Sequence, residues 1–295
     1  MTALVAAGAA AWLTSPSGDG LDARVNARLR AGSGRYVPLG RVAPILRESV
    51  VATEDERFYR HHGVDLIGLL RALPYDVVHL SLAQGASTIT EQLGKLVYLN
   101  GNDHTPWRKL EDAALAVKLE NRYSKKQLLA GYLNSAYFGH GAYGIWAASE
   151  RYFGVAPRRL TLPQATLLAG LIQAPSAYDP LVHPDLARQR QVTVLRSLVR
   201  GGFLTPTEAA GALAKPLPLR NAAPLSPLRG LDLAPGPAFL WWEVAAGLVA
   251  FVAGLVALLA LPHFHRFPHR AAVTVAAGAI LVLGATLAIR SFRSA

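Results

Sequence analysis

Three short stretches of this sequence concentrate residues able to move protons or hold anions. The first is Ala52-Thr53-Glu54-Asp55-Glu56-Arg57-Phe58-Tyr59-Arg60-His61-His62-Gly63. On a continuous helix, Glu54, Phe58 and His61 would sit at i, i+4 and i+7 along one face. A carboxylate beside an aromatic ring is partly desolvated, which favours its protonated form and moves its pKa toward neutrality, as a general base requires. The same residues also fit a plain helix, with Thr53 and Glu56 as caps and Gly63 as its end. His61-His62 lacks the i, i+4 spacing of a helical metal pair, so the stretch does not read as a metal site.

The second stretch is Gln84-Gly85-Ala86-Ser87-Thr88-Ile89-Thr90-Glu91-Gln92-Leu93-Gly94-Lys95. A glycine-containing turn running into a capped helix can offer free backbone N–H groups to an anion, with Lys95 further along the helix. It equally fits an ordinary loop-to-helix junction, where Glu91 closes a capping box on Thr88 and pairs with Lys95. In the third, Trp107-Arg108-Lys109-Leu110-Glu111-Asp112, two cations precede two acids. These form either an ion-paired solvated face of little energetic consequence or a phosphate clamp beside a second carboxylate. Guanidinium and ammonium groups suit the clamp because they hold phosphate oxygens and neutralise charge developing on a departing group.

The elements that must position these groups read as helices. Capping-box patterns stand at Thr88 with Glu91 and at Ser124 with Gln127, and Thr105-Pro106 supplies a cap and an N1 proline. After Pro106, Leu110, Ala113, Ala114, Val117 and Leu119 are spaced for one buried face. Strand-like alternation is scarce, so the expected fold is mainly α. The expected organisation is an apolar N-terminal segment and lead-in over 1–34, a helical domain over 35–215, a linker over 216–238 and a membrane hairpin over 239–295. The linker reading rests on six prolines between Pro216 and Pro237. The hairpin reading rests on two apolar runs, Phe239 to Leu261 and Ala271 to Ile289, with Trp241 and Trp242 where an interfacial belt would lie. The basic connection Pro262 to Arg270 favours the cytoplasm, and Arg290 and Arg293 in the tail weigh against that orientation. Ala3 to Leu13 is apolar but shorter than the roughly 17–25 residues of a spanning helix. It reads as part of an anchor or as a buried helix.

Composition narrows the function. The 295 residues are 52% hydrophobic yet carry a formal net charge of +11. That pairing points to an anionic partner such as anionic lipid or a phosphorylated substrate. No nucleic-acid module is recognisable, so nucleic acid is not an expected partner. With no cysteine, disulfides and thiolate metal sites are excluded.

Taken together and in order, the motifs resemble the family 51 glycosyltransferases, which polymerise the glycan strands of peptidoglycan. Glu54, Asp55, Phe58, His61 and Gly63 match the family's Glu-Asp-x-x-Phe-x-x-His-x-Gly. Gly85, Ser87, Thr88, Ile89, Thr90, Gln92, Leu93 and Lys95 match its second motif, and Arg108 with Lys109 opens its third. Tyr132-Leu133-Asn134, Tyr137-Phe138-Gly139 and Gly141 to Ile145, with Tyr152-Phe153-Gly154, resemble its fourth region. Ala169-Gly170-Leu171, Ala174-Pro175-Ser176 and Arg190 resemble its end, so the similarity spans about Val42 to Val199.

The resemblance implies a lysozyme-like, mainly helical domain with a small membrane-associated jaw, facing the periplasm or outer surface of the cell membrane. It implies lipid II and the growing glycan chain as substrates, the membrane as a partner, and possible contacts with other cell-wall-synthesis proteins. Glu54 would take the proton from the acceptor hydroxyl, with inversion at the MurNAc anomeric carbon. Asp112 would be a second catalytic carboxylate. Asp55, Phe58, His61, Ser87, Thr90, Glu91, Gln92, Lys95, Arg108 and Lys109 would bind substrate and its pyrophosphate. A divalent metal, Mg or Mn, would be bound by substrate, with no organic cofactor.

Two positions depart from the family pattern. Glu91 stands where the family has glutamine, which puts a negative charge near the expected pyrophosphate. Asp112 stands where the family has glutamate, with Glu111 beside it but rotated about 100° around the helix. No Ser-x-x-Lys, Ser-x-Asn and Lys-Thr-Gly set is present, so no transpeptidase activity is expected. The departures leave open a relative that binds lipid II or wall-synthesis partners without turnover. A lysozyme-like hydrolase with Glu54 as general acid would have no use for the cationic clamp.

Overall fold

Local chemistry marks most of the helix starts. The computed structural model describes residues 2–32, 34–69, 87–99 and 105–234, and the apolar stretch 239–295 and Gly85 lie outside them. In chain order the helices are α1 (Thr2–Thr14), α2 (Leu21–Ala31), α3 (Pro44–Glu54), α4 (Ile89–Val97), α5 (Pro106–Arg122), α6 (Lys125–Ser135), α7 (Gly144–Phe153), α8 (Leu162–Leu171), α9 (Pro184–Arg200) and α10 (Pro206–Leu213). Capping boxes close on Thr88–Glu91 and Ser124–Gln127, and the Thr105 hydroxyl accepts from the Arg108 N–H ahead of Pro106. Each box satisfies donors that a helix start would otherwise leave bare.

Helix α6 is the centre of the domain, with every residue from Leu128 to Ser135 buried. A helix buried all round has no solvated face to be amphipathic about. Its buried amide, Asn134, accepts from Val37 N–H at 2.8 Å and donates to the Val37 carbonyl at 2.9 Å, pinning the incoming chain to the core. Helices α4 and α5 pack on one another and on α6, while α3 packs against α8 and α9. The two groups share one core in which Leu46, Val50, Phe58, Leu93, Leu115, Leu129 and Tyr132 are all buried.

Three features of the described residues bear on the expected organisation. First, α5 buries Asp112, Leu115, Ala116 and Leu119, whereas Leu110 is 42% exposed. Asp112 shares one helical face with Leu115, Ala116 and Leu119, and the core packing of the two leucines carries it inward. Second, the core begins before residue 35, since Leu21, Val25 and Leu29 of α2 are buried in it. Third, the proline-rich stretch is not bare linker over its described part. Strands β1 (Leu217–Leu219) and β2 (Ala222–Leu225) pair antiparallel, and Leu217, Leu219 and Leu225 bury against Leu167 and Ala187.

Among the described residues no helix is long and apolar enough to cross a membrane. Helix α1, with 13 residues, is about 20 Å long against a hydrocarbon core of about 30 Å. It packs on α5, and Lys118 donates to Trp12 O at 2.6 Å and Ser15 O at 2.9 Å. Leu13 on its outer side is 82% exposed.

Candidate active site

Helix α3 stops at Glu54 instead of running on through Phe58 and His61. Asp55 leaves the helical region (φ −160°, ψ 75°), and the chain turns over residues 56–60. The reason lies in the Asp55 side chain. It accepts from the Ile89 N–H at the start of α4 at 3.0 Å and from His61 Nε2 at 2.9 Å. One buried carboxylate therefore ties the end of α3, the following turn and the start of α4. His61 also approaches Glu120 at 3.8 Å, and Glu120 accepts from Thr90 and Lys125, both at 2.7 Å.

Gly63 completes the turn at φ +87°, and a Cβ there would meet Val117 N of α5 at 2.6 Å. Its carbonyl accepts from the Thr88 hydroxyl at 2.7 Å. The first motif thus ends on close backbone packing, which a side chain would prevent.

Glu54 itself sits at the open end of α3 with 10% of its side chain exposed. Gln92 of α4 donates to its Oε2 at 3.1 Å, and Tyr132 OH donates to Gln92 Oε1 at 2.6 Å, which fixes the amide's orientation. Arg190 of α9 lies 3.7 Å from Glu54 Oε1. Burial pushes the Glu54 carboxyl above its usual range; Gln92 and Arg190 pull it back, and Asp55 adds a smaller push upward. The result is a carboxylate that is desolvated, oriented and poised to accept a proton.

Beside it, α4 and α5 carry a cationic patch. Lys109 donates to Ser87 Oγ at 2.7 Å. Lys95 lies 3.0 Å from Asp112 Oδ2, and Arg108 lies 3.5 Å from Asp112 Oδ1. Gln92 and Lys95 share α4, so one rigid element joins the proton-accepting group to the cations.

The expected site residues therefore divide. Glu54, Gln92, Ser87, Lys95, Arg108 and Lys109 have accessible surface. Phe58 and Thr90 are 0% exposed, and Asp55 and His61 are under a tenth exposed. Of these four expected substrate contacts, Asp55 accepts from the Ile89 N–H and from His61 Nε2, Thr90 donates to Glu120, and Phe58 belongs to the core. Asp112, expected as a second catalytic carboxylate, is 2% exposed and lies between Lys95 and Arg108. Glu111 does not replace it, since it accepts from Thr14 of α1 at 2.9 Å.

Glu91 is 6% exposed and engaged at the helix start. Its carboxylate accepts the Thr88 N–H at 3.2 Å within the capping box, and burial pushes its pKa up, against the pull of Lys109 and Lys95. Two contributors, Tyr132 and Arg190, entered the sequence reading only as family matches without a role. They lie far along the chain, and helix packing brings Arg190 to Glu54 and Tyr132 to Gln92.

The transglycosylase family profile matches residues 22–199, well over half of the chain. The chain belongs to the transglycosylase family. This transglycosylase is 46% identical over 187 residues to a Cupriavidus necator protein provisionally named a transglycosylase, covering 63% of this chain and 79% of that one. It is 40% identical over 183 residues to penicillin-binding protein 1F of Bacillus subtilis, covering 62% of this chain and 26% of that protein. It is 39% identical over 186 residues to penicillin-binding protein 1A of Aquifex aeolicus, again spanning 26% of the relative. The chain thus spans about a quarter of the length of these penicillin-binding proteins. The transglycosylase is a glycosyltransferase of peptidoglycan synthesis, mainly helical over its described residues.

Proposed function

We propose that this transglycosylase polymerises lipid II, with the growing glycan chain as donor and Glu54 as general base. The O–H bond of the acceptor's 4-hydroxyl breaks and its proton passes to the Glu54 carboxylate. The acceptor oxygen forms the new bond to the donor's anomeric carbon from the opposite face, inverting it. The bond from that carbon to the phosphate oxygen breaks, and its electron pair leaves with the undecaprenyl pyrophosphate. Lys95, Arg108, Lys109 and Ser87 hold the pyrophosphates and neutralise the charge that develops there. The observation that supports this reading above all is a buried carboxylate of raised pKa joined through α4 to a cationic patch.

A divalent ion fits here only as cargo of the substrate. The nearby carboxylates do not make a protein cage, because Asp112 is engaged by two cations and Glu91 by its capping box. Mg or Mn bound by the pyrophosphate would further offset its charge. The apolar runs within 239–295 support attachment to the cell membrane, with the catalytic domain on the periplasmic or outer face.

The test uses the detergent-solubilised full chain, fluorescent lipid II and Mg or Mn. Wild type is expected to form polymer, and Glu54→Gln to lower the rate by roughly 10²–10⁴-fold. Lipid II binding without polymer would sink the polymerase reading in favour of a binding protein. Release of sugar fragments from finished glycan would indicate a hydrolase.

A further inference from the structure

A second concave site lies at the other end of α3. It is a cavity of about 630 Å³ whose lining includes Arg35, Arg41, Arg158, Arg159, Tyr36 and Trp146. The segment before α3 and the turn Pro157–Arg159 form its walls, joined by the Ala43 N–H donating to Pro157 O at 3.1 Å. Arg41 precedes α3, whose 11 residues end at Glu54. At 1.5 Å per residue, about 16 Å of helix separates this cavity from the proposed base.

Four arginines line this one cavity. Among the described residues, no carboxylate comes within 4 Å of Arg35, Arg41, Arg158 or Arg159. Four like charges around one concavity repel one another, and a bound anion would relieve that repulsion. The floor is organised as well. The Arg35 guanidinium stacks 4.8 Å above the Trp146 ring, and both Trp146 and Tyr36 are half-buried. A guanidinium fixed on an indole has already surrendered much of the freedom that binding an oxyanion would otherwise cost.

We propose that this cavity binds a phosphate-bearing ligand. Two or more of the four guanidinium groups hold its phosphate oxygens, and a flat or apolar portion lies against Trp146. Planar forked guanidinium groups hold phosphate by paired hydrogen bonds, and several together suit a diphosphate better than a single carboxylate. The phosphate comes from a soluble diphosphate or from the headgroup of an anionic lipid. This site is separate from the cations on α4 and α5, so it stands whether or not the chain polymerises lipid II.

The experiment measures ADP and inorganic pyrophosphate binding to the detergent-solubilised full chain by equilibrium dialysis. Wild type should bind both saturably. Arg158→Ala/Arg159→Ala should weaken ADP binding at least tenfold while keeping the wild-type unfolding midpoint and lipid II turnover. Trp146→Leu should erase any preference for ADP over pyrophosphate. Displacement of ADP by phosphatidylglycerol vesicles, and not by phosphatidylcholine vesicles, would assign the site to a lipid headgroup. Displacement by pyrophosphate alone would assign it to a soluble diphosphate. Wild-type affinity for ADP in the double variant, or no saturable binding by wild type, would overturn the proposal.

Discussion

Glu54 is held in a state that folding alone would not choose. Because burial raises its pKa, its contribution to stability is fully present below the unfolded carboxyl range and is lost as pH rises through the raised folded value. Glu54→Gln is therefore expected to raise the unfolding midpoint near neutral pH while lowering turnover by roughly 10²–10⁴-fold. The acid limb of the pH–rate profile should lie above the ordinary carboxyl value of 4.5, since only the ionised form accepts a proton. Arg190 pulls that pKa down, so Arg190→Ala should move the limb further toward neutrality; an unmoved limb would remove Arg190 from the site. Asp112→Asn tests the other carboxylate. It leaves Lys95 and Arg108 without their anchor and should lower kcat/KM for lipid II by about tenfold, or about 1.4 kcal/mol. A loss on the scale of Glu54→Gln would instead make Asp112 a reacting group. Asp112 shows the limit of residue typing, because it lies on the helical face of Leu115 and Leu119, whose core packing carries it inward to Lys95 and Arg108.

At the scale of elements, the site depends on how α3, α4 and α5 meet. Asp55 ends α3 by bonding the first N–H of α4, and Gly63 lets the turn lie against the α5 backbone. Gly63→Ala combines a positive φ with a Cβ 2.6 Å from Val117 N. It should cost about 3 kcal/mol or more of stability, read as a lower denaturant midpoint. A change under about 0.5 kcal/mol would show that the turn relaxes freely. Helix starts were legible in advance at Thr88, Thr105 and Ser124 because each hydroxyl acts on an N–H three residues away. The helix end at Glu54 was not, because its cause is a bond across 34 residues.

At the scale of the whole molecule, the β1–β2 hairpin is bound to the helical domain through Arg188. Its buried guanidinium donates to Ser226 O at 2.8 Å, Lys215 O at 3.0 Å and Leu213 O at 3.4 Å. Arg188→Ala would leave these carbonyls without their donor and should cost about 2–4 kcal/mol, with faster proteolysis between 216 and 234. Unchanged proteolysis would mean that the leucines of β1 and β2 hold the hairpin unaided. Prolines spaced along 216–237 resemble a linker in composition, yet Leu217, Leu219 and Leu225 have an apolar surface to cover. That surface is made by α8 and α9 and is invisible from the prolines themselves.

The sequence by itself determined the mainly helical class, the family resemblance, and the roster from Glu54 to Lys109 from which the site is built. It could do so because caps, prolines and motif spacings act over a few residues. Tertiary structure alone decided which of that roster has surface to offer a substrate. Packing of α9 on α3 brings Arg190 to Glu54, and packing of α6 on α4 brings Tyr132 to Gln92. Desolvation, which raises the Glu54 pKa and keeps Phe58 and Thr90 from substrate, is a property of the assembled core.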